Sequence, residues 1–154
     1  MKRILFLLFI LMFLLNSCDN SVVFKQFNKM ENVNWNRFDI QVFEVEVEKD
    51  ELYDFYLAFR HHTYFPYDKL WVNITFYTPD GATRSRDYDF DLKDADGNWL
   101  ADGMGELWDI EFPIRKEMMF NNDGICKVRV ENIHSKYDMP GVIEVGLIVK
   151  ESKN

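Results

Sequence analysis

The chain has 154 residues, with 18 Lys and Arg against 26 Asp and Glu, a net charge of −8 at neutral pH, and 16% aromatic residues. That acidity argues against nucleic acid as a partner and against adsorption to anionic headgroups, because both need basic patches. The length suits one domain with a substantial core.

Lys2 and Arg3 precede an unbroken apolar run from Ile4 to Leu15. A spanning helix takes about 20 apolar residues, so this run is too short and reads as the apolar region of a signal peptide. Leu15-Asn16-Ser17-Cys18 follows and has the bacterial lipoprotein cleavage pattern, as against a single N-terminal anchor helix with an incidental Cys. Cleavage would remove residues 1–17 and leave Cys18 to carry the lipid. Each buried methylene contributes roughly 0.8 kcal/mol, and two or more acyl chains hold a protein stably at a membrane without spanning it. The mature chain keeps 16 basic residues against 26 acidic ones, or −10.

Residues 18–37 read as the lipidated Cys and a tether: Asn and Lys are frequent, no period is sustained, and Trp35 marks the approach to ordered structure. From residue 38 to 151 the period is two, as for strands. Ile40, Val42, Val45 and Val47 alternate with charged residues, with a phase slip at Val42-Phe43 that predicts a bulge or a switch of face. Tyr53, Phe55, Leu57 and Phe59 share one face of the next strand, and Leu70, Val72, Ile74 and Phe76 one face of the one after. Turns are marked by Pro79-Asp80-Gly81, Asp96-Gly97, Asn122-Asp123-Gly124 and Pro140-Gly141. WDIEFPI, ICKVRVENI and VIEVGLIVK supply the later strands. Seven or eight strands without convincing helical periodicity predict an all-β fold, an antiparallel β-sandwich.

Cys126 lies in phase with Val128 and Val130 and reads as a buried small hydrophobe; with Cys18 acylated it has no intramolecular disulfide partner. His61, His62 and His134 supply three imidazoles, but adjacent residues on a strand point to opposite faces, so no metal site is expected. FRHHTYFPYDKLWV reads instead as a structural corner, with Tyr64-Phe65-Pro66-Tyr67 as a rigid aromatic turn and Arg60 pointing to a surface or cavity rim.

In LKDADGNWLADGMGELWD the spacing of Asp94, Asp96 and Asn98 does not fit a calcium loop and predicts a hairpin turn, with positive φ angles at Gly97, Gly103 and Gly105. Asp87, Asp89 and Asp91 share one exposed strand face. Paired carboxylates can serve glycoside hydrolysis, but no base or nucleophile is placed by a motif, and a solvated edge is the simpler reading.

Taken together, the lipobox, Trp35, LYDFYLAFRH, PYDKLWV, the Leu92–Asp109 segment and the closing PGVIEVGLIV make this chain resemble the gliding motility lipoprotein H (GldH) family of the Bacteroidota, over about residues 18–151. It departs from that pattern at Lys69 and at Ile133-His134. The resemblance implies a non-enzymatic envelope lipoprotein; with the lipid on Cys18, the expected location is the outer membrane, facing the periplasm. It further implies an assembly or scaffold role among envelope proteins of the gliding and type IX secretion machinery, with no cofactor. The residues expected to contact a partner are Arg60, Tyr64, Tyr67, Trp71, Trp99 and Trp108, since Arg, Tyr and Trp dominate interface hot spots. The alternative is a carbohydrate-binding sandwich, with exposed Trp and Tyr stacking on sugar rings.

Overall fold

The computed structural model describes residues 21–152; Cys18 and the expected signal peptide lie outside them. Among the described residues, eleven strands form three antiparallel sheets, with one short 3-10 turn at Glu31–Val33. The larger sheet runs in the order β1 (Val22–Lys29), β11 (Val142–Glu151), β4 (Leu52–His62), β8 (Leu107–Met119) and β7 (Asp102–Met104). The second runs β3 (Gln41–Val47), β9 (Gly124–Asn132), β5 (Lys69–Tyr77) and β6 (Thr83–Asp91). A ribbon of β2 (Asn34–Asn36) and β10 (Asp138–Pro140) closes one end, with Trp35 and Met139 fully buried.

The strands form because their side chains alternate between a dry face and a wet one. Tyr53, Phe55, Leu57 and Phe59 of β4 and Leu70, Val72, Ile74 and Phe76 of β5 are all buried. Phe55 meets Phe76 edge to face at 5.2 Å, and Phe90 stacks on Phe112 at 4.2 Å, so both pairs join one sheet to the other. The result is the expected antiparallel sandwich. Cys126 lies inside it, and burial pushes its thiol up to about 12.

Seven long strands coincide with the period-two segments of the sequence; β1, β2, β7 and β10 are additional. Two of these occupy the segment expected to be a tether, since β1 and β2 cover most of residues 22–36. The sequence VVFKQFNK carries no strong inward stripe, and most of its side chains are exposed. Its strand state comes from pairing along nearly its whole length with β11, which presents a free edge beside it. The phase slip predicted at Val42-Phe43 is also absent. Register between β3 and β9 is continuous from Gln41 to Val47, Gln41 takes the inward place, and Val42 faces outward. Buried Gln41 tolerates that place because its side chain accepts from Asn28 and donates to the Asp39 carbonyl.

Candidate functional site

The corner after β4 is held by backbone hydrogen bonds from Phe65 N to His62 O (2.9 Å) and from Thr63 N to Glu106 O (2.8 Å). Phe65 drops into the interior beside Phe59, His61 and Tyr67. Gly141 makes room for it. Its φ is +89°, and a Cβ there would come within 3.0 Å of the Phe65 backbone, so glycine is required on both counts.

From this corner a belt of rings runs around the end of the sandwich. Trp108 neighbours Trp99 (6.3 Å), Trp99 packs on His61 (4.4 Å), and His61 on Phe65 (5.3 Å). Phe65 then meets Tyr67 (5.4 Å), Tyr67 meets His134 (4.2 Å), and His134 meets Trp71 (5.3 Å). Four of the six predicted contact residues, Tyr67, Trp71, Trp99 and Trp108, therefore share one belt. The hubs joining them are His61, Phe65 and His134. His134 sits at one of the two places where the sequence departs from the pattern of the family it resembles, which was the signal that could have drawn attention to it.

His61 is fully buried, and its Nδ1 lies 3.0 Å from the His62 carbonyl. A carbonyl only accepts, so Nδ1 carries the proton and neutral His61 keeps a bare Nε2. Among the described residues that Nε2 has no hydrogen-bond partner, and neither does the buried Nε1 of Trp108. Burial holds the His61 pKa below its ordinary value. Lys93 lies 4.4 Å over the Trp99 ring and pairs with Asp68 at 2.8 Å. The preceding hairpin is closed by Asp94, whose carboxylate accepts from the backbone N–H groups of Asp96 and Asn98. Gly97 and Gly105 have positive φ as expected, whereas Gly103 does not. Gly103 is needed for closeness instead, because a Cβ there would lie 2.4 Å from the Trp108 ring.

His62 points to the opposite, outer face of the larger sheet, as alternation requires. Its ring lies 4.0 Å from that of Tyr64, and its Nε2 lies 3.2 Å from Glu106. In register beside it come Leu107 and then Met104. Tyr64, Leu107 and Met104 are 56%, 40% and 86% exposed, so an apolar strip lies open to solvent here.

Arg60 lies one row further down the same face. Register places Lys29, Glu144, Arg60, Asp109 and Asp102 side by side across all five strands. The Arg60 guanidinium donates to both oxygens of Asp109 (2.7 and 3.1 Å) and to Glu144 (2.9 Å). The hydrogen-bonded Asp109 carboxylate raises its pKa. The next row is small and apolar at Gly146 and Ala58, and there a cleft of about 650 Å³ opens with Arg60 on its rim. Arg60 and Tyr64 thus share the outer face, separate from the belt of rings.

The thiol of Cys126 is protonated at neutral pH. Asp87, Asp89 and Asp91 are exposed on β6; Asn73 donates to Asp87, and Lys69 bridges Asp89 and Asp91. The site thus combines packed rings, an open apolar strip and an ordered row of charges.

The chain is 23% identical to the gliding motility lipoprotein GldH homolog of Christiangramia forsetii over 99% of both chains. It is also 23% identical to gliding motility lipoprotein GldH of Flavobacterium johnsoniae, over 84% of this chain and 80% of that one. Among solved structures, the infectious bursal disease virus VP2 subviral particle aligns at a TM-score of 0.39 and 15% identity, with 87% of this chain spanning 34% of the viral one. That likeness is too low to bear on function. Residues 22–149 match the profile of the GldH lipoprotein family, and the chain belongs to that family.

Proposed function

We propose that this protein is a non-enzymatic, lipid-anchored envelope protein whose sandwich serves as an assembly or scaffold component of the gliding and type IX secretion machinery. Cys18 carries the lipid, at the outer membrane, with the domain facing the periplasm. Membership in a lipoprotein family and the names of the two relatives support this reading. No helix among the described residues is long and apolar enough to cross a membrane.

The observation that carries the proposal is the outer face of the larger sheet. The open strip of Tyr64, Leu107 and Met104 borders the charged row containing Arg60. An apolar centre with a polar rim is the anatomy of a protein–protein contact. Tyr67, Trp71, Trp99 and Trp108 lie round the corner and stiffen it. Sugar binding by stacking has less support, because Trp99 is already covered by His61 and Lys93, and Trp71 by His134.

The test is a mild-detergent pull-down of tagged full-length protein from native membranes. The comparison proteins are a Met104→Asp/Leu107→Asp double variant and a Cys18→Ala chain. Gliding or secretion proteins should co-purify with the unaltered protein and drop at least fivefold with the double variant at unchanged Tm. Equal recovery with both rejects this face as the contact.

A further inference from the structure

A second site lies on the opposite flank of the sandwich, where the edges of the two sheets face each other. β6 is the last strand of the smaller sheet, and beyond Asp109 β8 is paired only with β4. Near one end the seam between them is closed by the Phe90–Phe112 stack and by the Tyr88 hydroxyl donating to the Ile114 carbonyl (2.8 Å). Towards Thr83 it opens into a cleft of about 220 Å³ whose apolar lining includes Ile74, Phe76 and Met118.

Three arginines line this cleft, Arg84 and Arg86 from β6 and Arg115 from β8. In register, Arg84 pairs with Phe76 and Arg86 with Ile74, so both project from the face of β6 that elsewhere enters the core. All three are exposed, and none makes an ion pair among the described residues; Arg86 rests 5.1 Å over the Tyr88 ring. What sets these three apart from the other cations without an ion pair among the described residues, such as Lys25, Lys49 and Lys136, is that they converge on one cleft in a chain of net charge −8.

We infer that this seam binds an extended acidic segment of a partner polypeptide, seated along the edge of β6 with one bulky apolar side chain in the cleft and flanking carboxylates on Arg84, Arg86 and Arg115. Three features select that occupant. The cleft falls below the roughly 300–1,000 Å³ of sites that enclose a whole small molecule, so it suits a single anchoring side chain. Guanidinium groups match carboxylates in fork geometry. The outer edge of β6 offers main-chain groups to an added strand, while alternate side chains meet the cleft. Inward arginines also discourage edge-to-edge pairing, and their stems cover apolar surface. That protective role by itself predicts no selectivity for acidic peptides. The inference does not depend on the outer face of the larger sheet.

The test uses full-length protein in detergent micelles and a blocked, fluorescent heptapeptide with Glu, Leu and Glu at alternate positions separated by Thr. Saturable binding is expected, weakened at least tenfold by an Arg84→Glu/Arg86→Glu variant of unchanged Tm. It should also weaken when Lys replaces Glu or Ala replaces Leu in the peptide, and when NaCl rises from 50 to 500 mM. Amide shifts on titration should concentrate in β6 and β8. The inference is overturned by equal binding to the charge-reversed variant or to the Lys peptide, or by no saturation at millimolar peptide. It is likewise overturned if the variant only self-associates, or if phosphatidylglycerol vesicles compete for the three arginines more effectively than the peptide does.

Discussion

His61 and Trp108 lie directly opposite each other on β4 and β8, and each buries a ring nitrogen that has no hydrogen-bond partner among the described residues. The two atoms are complementary, a bare imidazole nitrogen and an indole N–H. The aromatic belt that supports the outer face passes through both residues.

That relationship makes stability depend on pH. The unfolded chain protonates His61 as pH falls through about 6.5, while burial makes the folded chain resist until lower pH. The contribution of this group is therefore full above pH 6.5 and is lost as pH falls from there towards the folded value. His134 is shifted the same way, by burial first and then by Lys136 and Arg37. Melting between pH 7.5 and 5.5 should show a falling Tm, and His61→Phe should flatten that fall. An identical pH profile in the variant counts against His61 as the source.

Gly103 supports the same indole. A Cβ on it would reach within 2.4–2.8 Å of three Trp108 ring atoms, and the ring must move to admit it. Overpacking of this kind costs about 1–3 kcal/mol. Gly103→Ala should lower Tm and shift Trp fluorescence, whereas Gly97→Ala should lower Tm without that spectral change, because Gly97 has positive φ but open space around its Cα.

Arg60 presents the opposite balance. Its side chain is 36% exposed and the paired Asp109 52%, so solvent screens the pair and its removal should cost less than about 1 kcal/mol. Arg60→Ala should leave Tm within a few degrees while weakening partner recovery in the pull-down. Outright unfolding, or undiminished recovery, removes Arg60 from the contact surface.

Cys126 should be silent in the folded protein. Its thiol is fully buried and pushed up to about 12, so almost no thiolate exists at neutral pH. In the Cys18→Ala chain a disulfide reagent should label nothing under native conditions and one thiol after guanidinium is added. Rapid native labelling means that β9 opens locally, and the core assignment of Cys126 falls.

Much of this architecture is written locally. The alternation of Tyr53 to Phe59 and Leu70 to Phe76 decides which faces are buried without reference to any other strand, because side chains on an extended backbone alternate by geometry. The same rule separated His61 from His62, and local turn chemistry gave Gly97 and Gly105 their positive φ. Register is different in kind, because it depends on which distant segments pair. The row from Lys29 through Arg60 to Asp102 draws on five strands, and nothing near Arg60 in the chain names Glu144 or Asp109 as its partners. β1 is a strand only because β11 lies beside it, so a segment with the composition of a tether became an edge. Arg84 and Arg86 alternate with Ser85 and Asp87 in plain view, yet only the meeting of β6 with β8 shows that their face looks into a cleft. The sequence determined the faces of the strands; long-range pairing, which alternation cannot encode, decided which side chains share a surface.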